Sequence, residues 1–263
     1  MIEVFGKNPV TSREFPIVLF DAVGTLLHSQ PPLQLFFKVE LERRGVVISE
    51  SDFESAWTRV IQKLNLESEQ NPQFVLPRNF WFTALLHELS LSESQRATFK
   101  QELVDAFYQN VRLAIPQLCV RVCEVLQERG YRLGIVSNHD HSLADVLRTQ
   151  GILDLFEVVV TAADAHVLKP DPAPFRMAME ELDALDEKAI FVGESYAVDV
   201  IGAQRAGMKS VLYDPTHREM RALSETTTEA LEKVVSIDAL RQNRRLQGVK
   251  VVTRFDELLE FLL

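Results

Sequence analysis

Cysteine is nearly absent: the chain has two, Cys119 and Cys123, in 263 residues. Two thiols four positions apart on a predicted helix share one face and imply no disulfide framework, so they read as buried apolar side chains rather than a redox or metal pair. Long apolar runs are missing too, and nothing approaches the roughly 18 consecutive apolar residues of a membrane span. The opening residues, Met1 to Lys7, have neither the basic region nor the apolar stretch of a signal peptide, which makes cytoplasmic the expected location. Basic charge is in deficit, with 28 Lys and Arg against 38 Asp and Glu for a net charge of −10. A field of that sign repels phosphate backbones and anionic lipid, so neither nucleic acid nor a membrane surface is the expected partner. Internal repeats and low-complexity tracts are also missing.

What is present is apolar material, 46% of the residues, enough for a sizeable core in one large domain or two smaller ones. Five short runs rich in Val, Ile, Leu and Phe read as strands: Pro16 to Phe20, Leu133 to Val136, Val158 to Thr161, Ala189 to Val192 and Ser210 to Tyr213. Each is nearly continuous rather than alternating, as expected of a parallel sheet covered by helices on both faces. Helical patterns fall between the later strands, at Gln117 to Arg129, Ser142 to Gln150, Pro174 to Leu182 and Asp199 to Ala206, three of them ended by Gly130, Gly151 and Gly207. The alternation predicts an α/β fold with a doubly wound parallel sheet.

The stretch between the first strand and the second exceeds what one crossover helix needs. Residues 29–114 read as wholly helical, with Leu33, Phe36, Phe37, Glu40 and Leu41 at amphipathic spacing and capping boxes predicted at Ser51 with Glu54 and at Ser92 with Gln95. An α/β core of residues 1–28 and 115–263 with an inserted all-helical cap at 29–114 is therefore expected, the alternative being a bundle that shares the same core. Trp57, Phe80 and Trp81 in the insertion read as packing residues. In the tail, 225–235 and 237–246 look helical, Val249 to Val252 reads as a strand and Phe255 to Leu262 as a helix. Arg241, Arg244 and Arg245 form a small basic cluster, read as a solvated helix face.

Ligands of open parallel sheets bind outside the carboxyl ends of the strands, which directs attention to the polar residues after each apolar run. Strand one ends in Phe20-Asp21-Ala22-Val23-Gly24-Thr25-Leu26-Leu27 and strand two in Val136-Ser137-Asn138. The third is followed by Lys169-Pro170-Asp171-Pro172, and the fourth continues as Gly193-Glu194-Ser195-Tyr196-Ala197-Val198-Asp199. In this order and spacing, over residues 16 to 213, the sequence strongly resembles the haloacid dehalogenase (HAD) superfamily, in its branch with a helical cap inserted after the first motif.

The resemblance implies a hydrolase in which Asp21 is a covalent nucleophile, splitting hydrolysis into formation and breakdown of an intermediate. The turn Ala22-Val23-Gly24-Thr25 would bind phosphate, with Gly24 allowing close approach and amides around Ala22 and Val23 forming a small anion nest. Ser137, with the Asn138 amide, would take another phosphate oxygen, and Lys169 would neutralise the charge gathered between nucleophile and phosphoryl group. Magnesium would be held by Asp21, the Val23 carbonyl and Asp199, with Glu194 ligating directly or through water; the family usually has aspartate at position 194. Ser195 would cap the helix that carries Asp199. The expected substrate is a small phosphorylated molecule and the expected assembly a monomer or homodimer.

One departure matters. Family phosphatases usually carry a second aspartate two residues after the nucleophile, as acid to the leaving group and then base for water, and here position 23 is valine. Loss of such a group typically lowers rate about 10²–10⁴-fold. The sequence leaves three readings: a phosphatase with another proton donor or an undemanding leaving group, a 2-haloacid dehalogenase, or a weak or non-catalytic phosphate and metal binder. Against dehalogenation stand Phe175, where those enzymes generally have tyrosine, and Glu194 with Tyr196 where they carry serine and asparagine. His139, in His139-Asp140-His141, is a candidate proton donor, its ordinary pKa suiting the role. His28, where the chain enters the insertion, is a candidate for substrate contact.

Overall fold

The computed structural model describes residues 15–71, 79–223 and 248–263. Its strands are β1 (Ile17–Phe20), β2 (His28–Gln30), β3 (Arg112–Ala114), β4 (Arg132–Ser137), β5 (Val158–Thr161), β6 (Ala189–Gly193), β7 (Lys209–Tyr213) and β8 (Lys250–Val252). Six of them form one sheet in the order β5-β4-β1-β6-β7-β8, with every pairing parallel. The predicted parallel α/β sheet is therefore found, with β8 added at its edge, one residue shorter than the predicted Val249 start.

Burial of both faces explains the continuous apolar runs. Val18 and Phe20 of β1 pack with Cys119, Val122, Cys123 and Leu126 of α5 (Gln117–Glu128). Ile17 and Leu19 point the other way, against Phe175, Ala178 and Met179 of α8 (Ala173–Glu181). Side chains alternate faces along a strand, and each fully buried Leu, Ile or Phe contributes about 1.5–3 kcal/mol, so every β1 position is held from one side or the other. The two cysteines are free and buried, and burial pushes the Cys119 thiol up to about 11 and raises Cys123 further, as expected of apolar core residues.

The insertion holds four helices: α1 (Leu33–Arg43), α2 (Glu50–Gln70), α3 (Phe80–Glu88) and α4 (Glu93–Asn110). They enclose their own apolar cluster, with Phe36, Phe37, Trp57, Phe82 and Leu103 among its members and Ala222 reaching it from outside. Trp57 stacks on Trp81 at 5.4 Å, a packing role for the former. The stretch is not wholly helical: β2 and β3 pair antiparallel, His28 opposite Ala114, and make a two-stranded neck where the chain leaves and re-enters the core. Three-residue strands with half-exposed polar side chains carry too little alternation to be read from sequence.

Two details of the helices differ from expectation. Ser92 and Gln95 form the predicted capping box, but α2 starts earlier than predicted, because Ser49 is the extended residue whose Oγ accepts the Asp52 N–H at 3.1 Å. Glu50 and Ser51 are already helical, and a cap must precede the first helical residue. The helix predicted at Asp199 to Ala206 begins as a wide turn, Tyr196–Val200, and continues as α9 (Ile201–Arg205). The remaining α-helices among the described residues are α6 (Leu143–Thr149), α7 (Ala162–Ala165), α10 (Arg218–Leu223) and α11 (Glu257–Leu262). The predicted helices at 225–235 and 237–246, with the Arg241, Arg244 and Arg245 cluster, lie outside the described residues. Among the described residues no helix is long and apolar enough to cross a membrane.

Candidate active site

Because β4, β1 and β6 are neighbours at the centre of the sheet, the residues just beyond them must meet. Phe20 lies level with Ile135 and with Val192. Asp21 follows, its N–H donating to the Val192 carbonyl at 2.9 Å, while Ser137 closes β4 and Glu194 follows β6. After Asp21 the chain winds into a tight turn, with Gly24 N–H donating to the Leu27 carbonyl at 2.7 Å and Leu26 and Leu27 N–H both donating to Ala22. The Gly24 amide is thus engaged within the turn, and the Ala22 N–H donates to the Asp21 carboxylate. Thr25, fully buried, donates its hydroxyl to Asp21 Oδ2 at a long 3.4 Å, so it supports the nucleophile position.

Gly24 has φ +92, and a Cβ there would lie 2.0–2.2 Å from the carboxyl of Glu194. The close approach that requires glycine is therefore made by this acid, which the sequence had ascribed to substrate. Gly193 does the same for Asp199, whose carboxyl would be 2.4–2.6 Å from an added Cβ. Two glycines seat two acids against the strand ends.

Lys169 comes from the loop between α7 and α8 and is 1% exposed. Its ammonium donates to Asp21 Oδ1 at 2.8 Å and to Asp199 Oδ1 at 2.6 Å, and lies 5.0 Å over the Phe191 ring. Burial works against the charged amine, yet Asp199 and Asp21 outweigh it and lift the Lys169 pKa above its ordinary value. Asp21 itself is raised to about 6, by desolvation first and by repulsion from Asp199, against the pull of Lys169. Asn138 holds this lysine in place: its Oδ1 accepts the Lys169 N–H at 2.6 Å and its Nδ2 donates to the Lys169 carbonyl at 3.1 Å. The Asn138 side-chain amide is thus committed to the lysine loop, leaving Ser137, 3% exposed beside Asp21, as the hydroxyl at this strand end.

The acids differ in how they are engaged. Asp199 has both oxygens occupied, Oδ1 by Lys169 and Oδ2 by the Ser195 N–H at 3.0 Å. Ser195 in turn accepts the Val198 N–H at 3.4 Å, the predicted cap of this turn. Glu194 is exposed as a residue, but its carboxyl packs against Gly24 and has no hydrogen-bond partner among the described residues. Its pKa is raised well above the ordinary glutamate value by desolvation in the packed turn, then by repulsion from Asp21, Asp199, Glu219 and Asp214. An unpaired acid pressed against other acids, all with hard oxygen donors, fits a divalent cation such as magnesium. No group of three or more His, Cys, Asp or Glu among the described residues is already gathered to hold a metal ion. The ammonium of Lys169 takes the central position between Asp21 and Asp199 instead.

Position 23 supplies no acid: Val23 packs against the apolar cluster of β1 and α5. His139 turns to its own loop, with Nδ1 3.2 Å from the Asp140 carbonyl and 3.3 Å from its carboxylate. His28 differs, since burial lowers its pKa against a hydrogen bond to the Thr25 carbonyl, and its Nε2 is buried with no partner. Phe175 is fully buried, 4.8 Å from the Phe191 ring and beneath Gly202.

Two acids were missed. Asp214, 3% exposed at the end of β7, accepts the N–H groups of Arg218 and Met220 at 2.9 Å each and so caps α10. Glu219 on that helix is 6% exposed and pushed up to about 8, by burial and then by Asp214. Asp214 had a usable signal, standing directly after an apolar run as Asp21 does; Glu219 had none.

A family model described as haloacid dehalogenase-like hydrolase matches residues 15–207. Haloacid dehalogenase-like hydrolase domain-containing protein 3 of Mus musculus is 27% identical over 205 residues, 74% of this chain and 80% of that protein. The pyrophosphatase PpaX of Bacillus mycoides is 37% identical over 87 residues, 33% of this chain and 40% of that one. Among solved structures, YfnB of Bacillus subtilis, assigned as a HAD hydrolase and bound to magnesium, is similar with a TM-score of 0.61 at 20% identity, covering 95% of this chain and 99% of that one. With the model spanning every strand end that meets at Asp21, the chain belongs to the haloacid dehalogenase-like hydrolases.

Proposed function

We propose that the chain is a magnesium-dependent phosphatase acting on a small soluble phosphate ester, with Asp21 carrying the phosphoryl group. The observation that supports it most is the buried Lys169 ammonium between Asp21 and Asp199 at 2.8 and 2.6 Å. A fixed cation beside a carboxylate nucleophile lets that nucleophile meet a dianionic group, where two like charges would otherwise repel. An Asp21 oxygen attacks phosphorus and the ester P–O bond breaks, releasing the alcohol once a proton reaches it. Water then attacks phosphorus, the bond to Asp21 breaks and inorganic phosphate leaves. Ser137 and the Val23 amide would hold phosphoryl oxygens through these steps, while the Ala22 N–H stays on the Asp21 carboxylate.

Bound magnesium would neutralise charge shared by nucleophile and phosphate. Asp21, the Val23 carbonyl and Glu194 would hold it, while Asp199, with both oxygens occupied, would steady Lys169 and the loop at one remove. His28 is a candidate for the base half of the proton work that Val23 lacks: a neutral imidazole with one nitrogen held by the Thr25 carbonyl and Nε2 unpartnered is the form a general base takes. The insertion, as a cap, would supply specificity through Phe80 and Trp81, which meet Leu168 and Val198 beside Lys169 and Asp199. The net charge of −10 favours a small metabolite over nucleic acid or membrane.

The test compares wild type, Asp21→Asn and Val23→Asp on aryl and sugar phosphates, in magnesium and in chelator, alongside halide release from 2-haloacids. Phosphate release that needs magnesium and vanishes in Asp21→Asn is expected. Metal-independent halide release would sink the reading, although Phe175 in the core and the unpaired Glu194 beside Gly24 speak against it. Val23 favours one second reading, a weak or binding-only member: silence in every assay, with magnesium still bound, would support it.

A further inference from the structure

Helix α2 of the insertion is held against the core at the turn that carries Asp199 and at the adjoining helix α10. Leu64 packs against Ala197 and Val198 of that turn. The next residue, Asn65, is 1% exposed and donates from Nδ2 to Glu219 Oε2 at 3.3 Å, while its Oδ1 is buried without a partner. Nearer the start of α2, Glu54 pairs with Arg218 at 3.5 Å, so neighbouring residues of α10 both grip the same helix.

Glu219 has a second donor, the backbone N–H of Tyr196, between Glu194 and Asp199 in the chain. Burying an acid near Asp214 and Asp199 is unfavourable unless its oxygens are well used, and here they receive one hydrogen bond from the insertion and one from the acid-bearing loop. Burial and Asp214 raise its pKa to about 8, against the pull of Asn65 and the Tyr196 N–H.

We propose that Glu219 is a positioning residue that ties α2 of the insertion to the 194–199 loop, so that the placement of the Glu194 and Asp199 carboxyls depends on the insertion being docked. The consequence for magnesium rests on the reading of Glu194 above; the tie does not.

Glu219→Gln, Glu219→Ala and Asn65→Ala in the full chain separate these roles, read by amide hydrogen exchange and by magnesium calorimetry. Glu219→Ala should speed exchange about tenfold in both residues 196–200 and the 60–70 half of α2, the effect of a lost hydrogen bond of about 1 kcal/mol or slightly more. It should also weaken magnesium about tenfold, as outer partners of metal ligands do. Asn65→Ala should reproduce the exchange effect, and the magnesium effect in part, without touching α10. Glu219→Gln keeps an acceptor for Tyr196 and gains a donor for Asn65 Oδ1, so its exchange and affinity should stay within about twofold of wild type. If Glu219→Gln loses as much affinity as Glu219→Ala, charge rather than the tie is at work and the proposal fails. It fails equally if Glu219→Ala and Asn65→Ala leave α2 exchange unchanged. Wild-type protein that binds no magnesium yet shows the coupled exchange would uphold the tie and overturn the metal reading.

Discussion

Lys169 is the residue on which the site balances, a buried cation with an acid on either side. Removing one member of such a group leaves uncompensated buried charge, which typically destabilises by about 3–5 kcal/mol. Lys169→Met should therefore lower stability in urea by that order and abolish turnover. The double change Lys169→Met with Asp21→Asn should recover part of the stability and none of the activity. A single variant as stable as wild type would show that the acids are not charged together. Val23 offers the opposite kind of change. Val23→Asp replaces a partly buried apolar side chain with the missing acid, and kcat on a sugar phosphate should rise by about 10²-fold, at the low end of acid–base contributions. An unchanged or lower kcat would mean that His28 or another donor already does this work; His28→Gln, with its pH–rate profile, then tests the histidine directly.

Elements place these residues by where they stop. Each central strand is apolar through its middle and reaches a polar side chain at or just past its end, Asp21 after β1, Ser137 closing β4 and Glu194 after β6. Helix ends do similar work in the insertion, where Ser49 caps α2 through the Asp52 N–H. Ser49→Ala should lower thermal stability by about 1 kcal/mol, the usual worth of an N-cap. Ser51→Ala, at a helical position in the first turn, should change it by well under that; equal losses at both would place the cap where sequence spacing alone had put it. The wide turn Tyr196–Val200 matters more for chemistry, since it places the Asp199 carboxyl over Gly193 and the Asp199 Oδ2 on the Ser195 N–H. Gly193→Ala should therefore perturb Asp199 and with it Lys169, seen as lost activity in a protein that still folds.

Over the whole molecule, acids outnumber bases at the site, and stability should record it. Asp21 is raised from 3.8 to about 6 and Glu219 from 4.5 to about 8. A group whose folded pKa lies above its unfolded value contributes stability that is complete below the unfolded value and lost as pH rises through the folded one. Unfolding free energy in chelator should therefore fall between about pH 4 and about pH 8, and Glu219→Gln should remove the upper part of that fall. Urea melts of both proteins across this range check it; parallel curves would refute the raised Glu219 pKa. Magnesium should stabilise the fold most at the alkaline end, because it binds ionised Asp21 in the folded state alone. The sequence by itself determined the parallel sheet, the helical insertion and the residues at four strand ends, because burial on both faces and chain punctuation are local and periodic. Only the tertiary structure decided that Glu194 rests on Gly24, that Asn138 holds the lysine loop, that Asp199 spends both oxygens on Lys169 and Ser195, and that Glu219 meets Asn65. Those contacts join residues tens to more than a hundred positions apart, or turn on side-chain direction, and neither periodicity nor motif spacing encodes which partner a buried polar group will find.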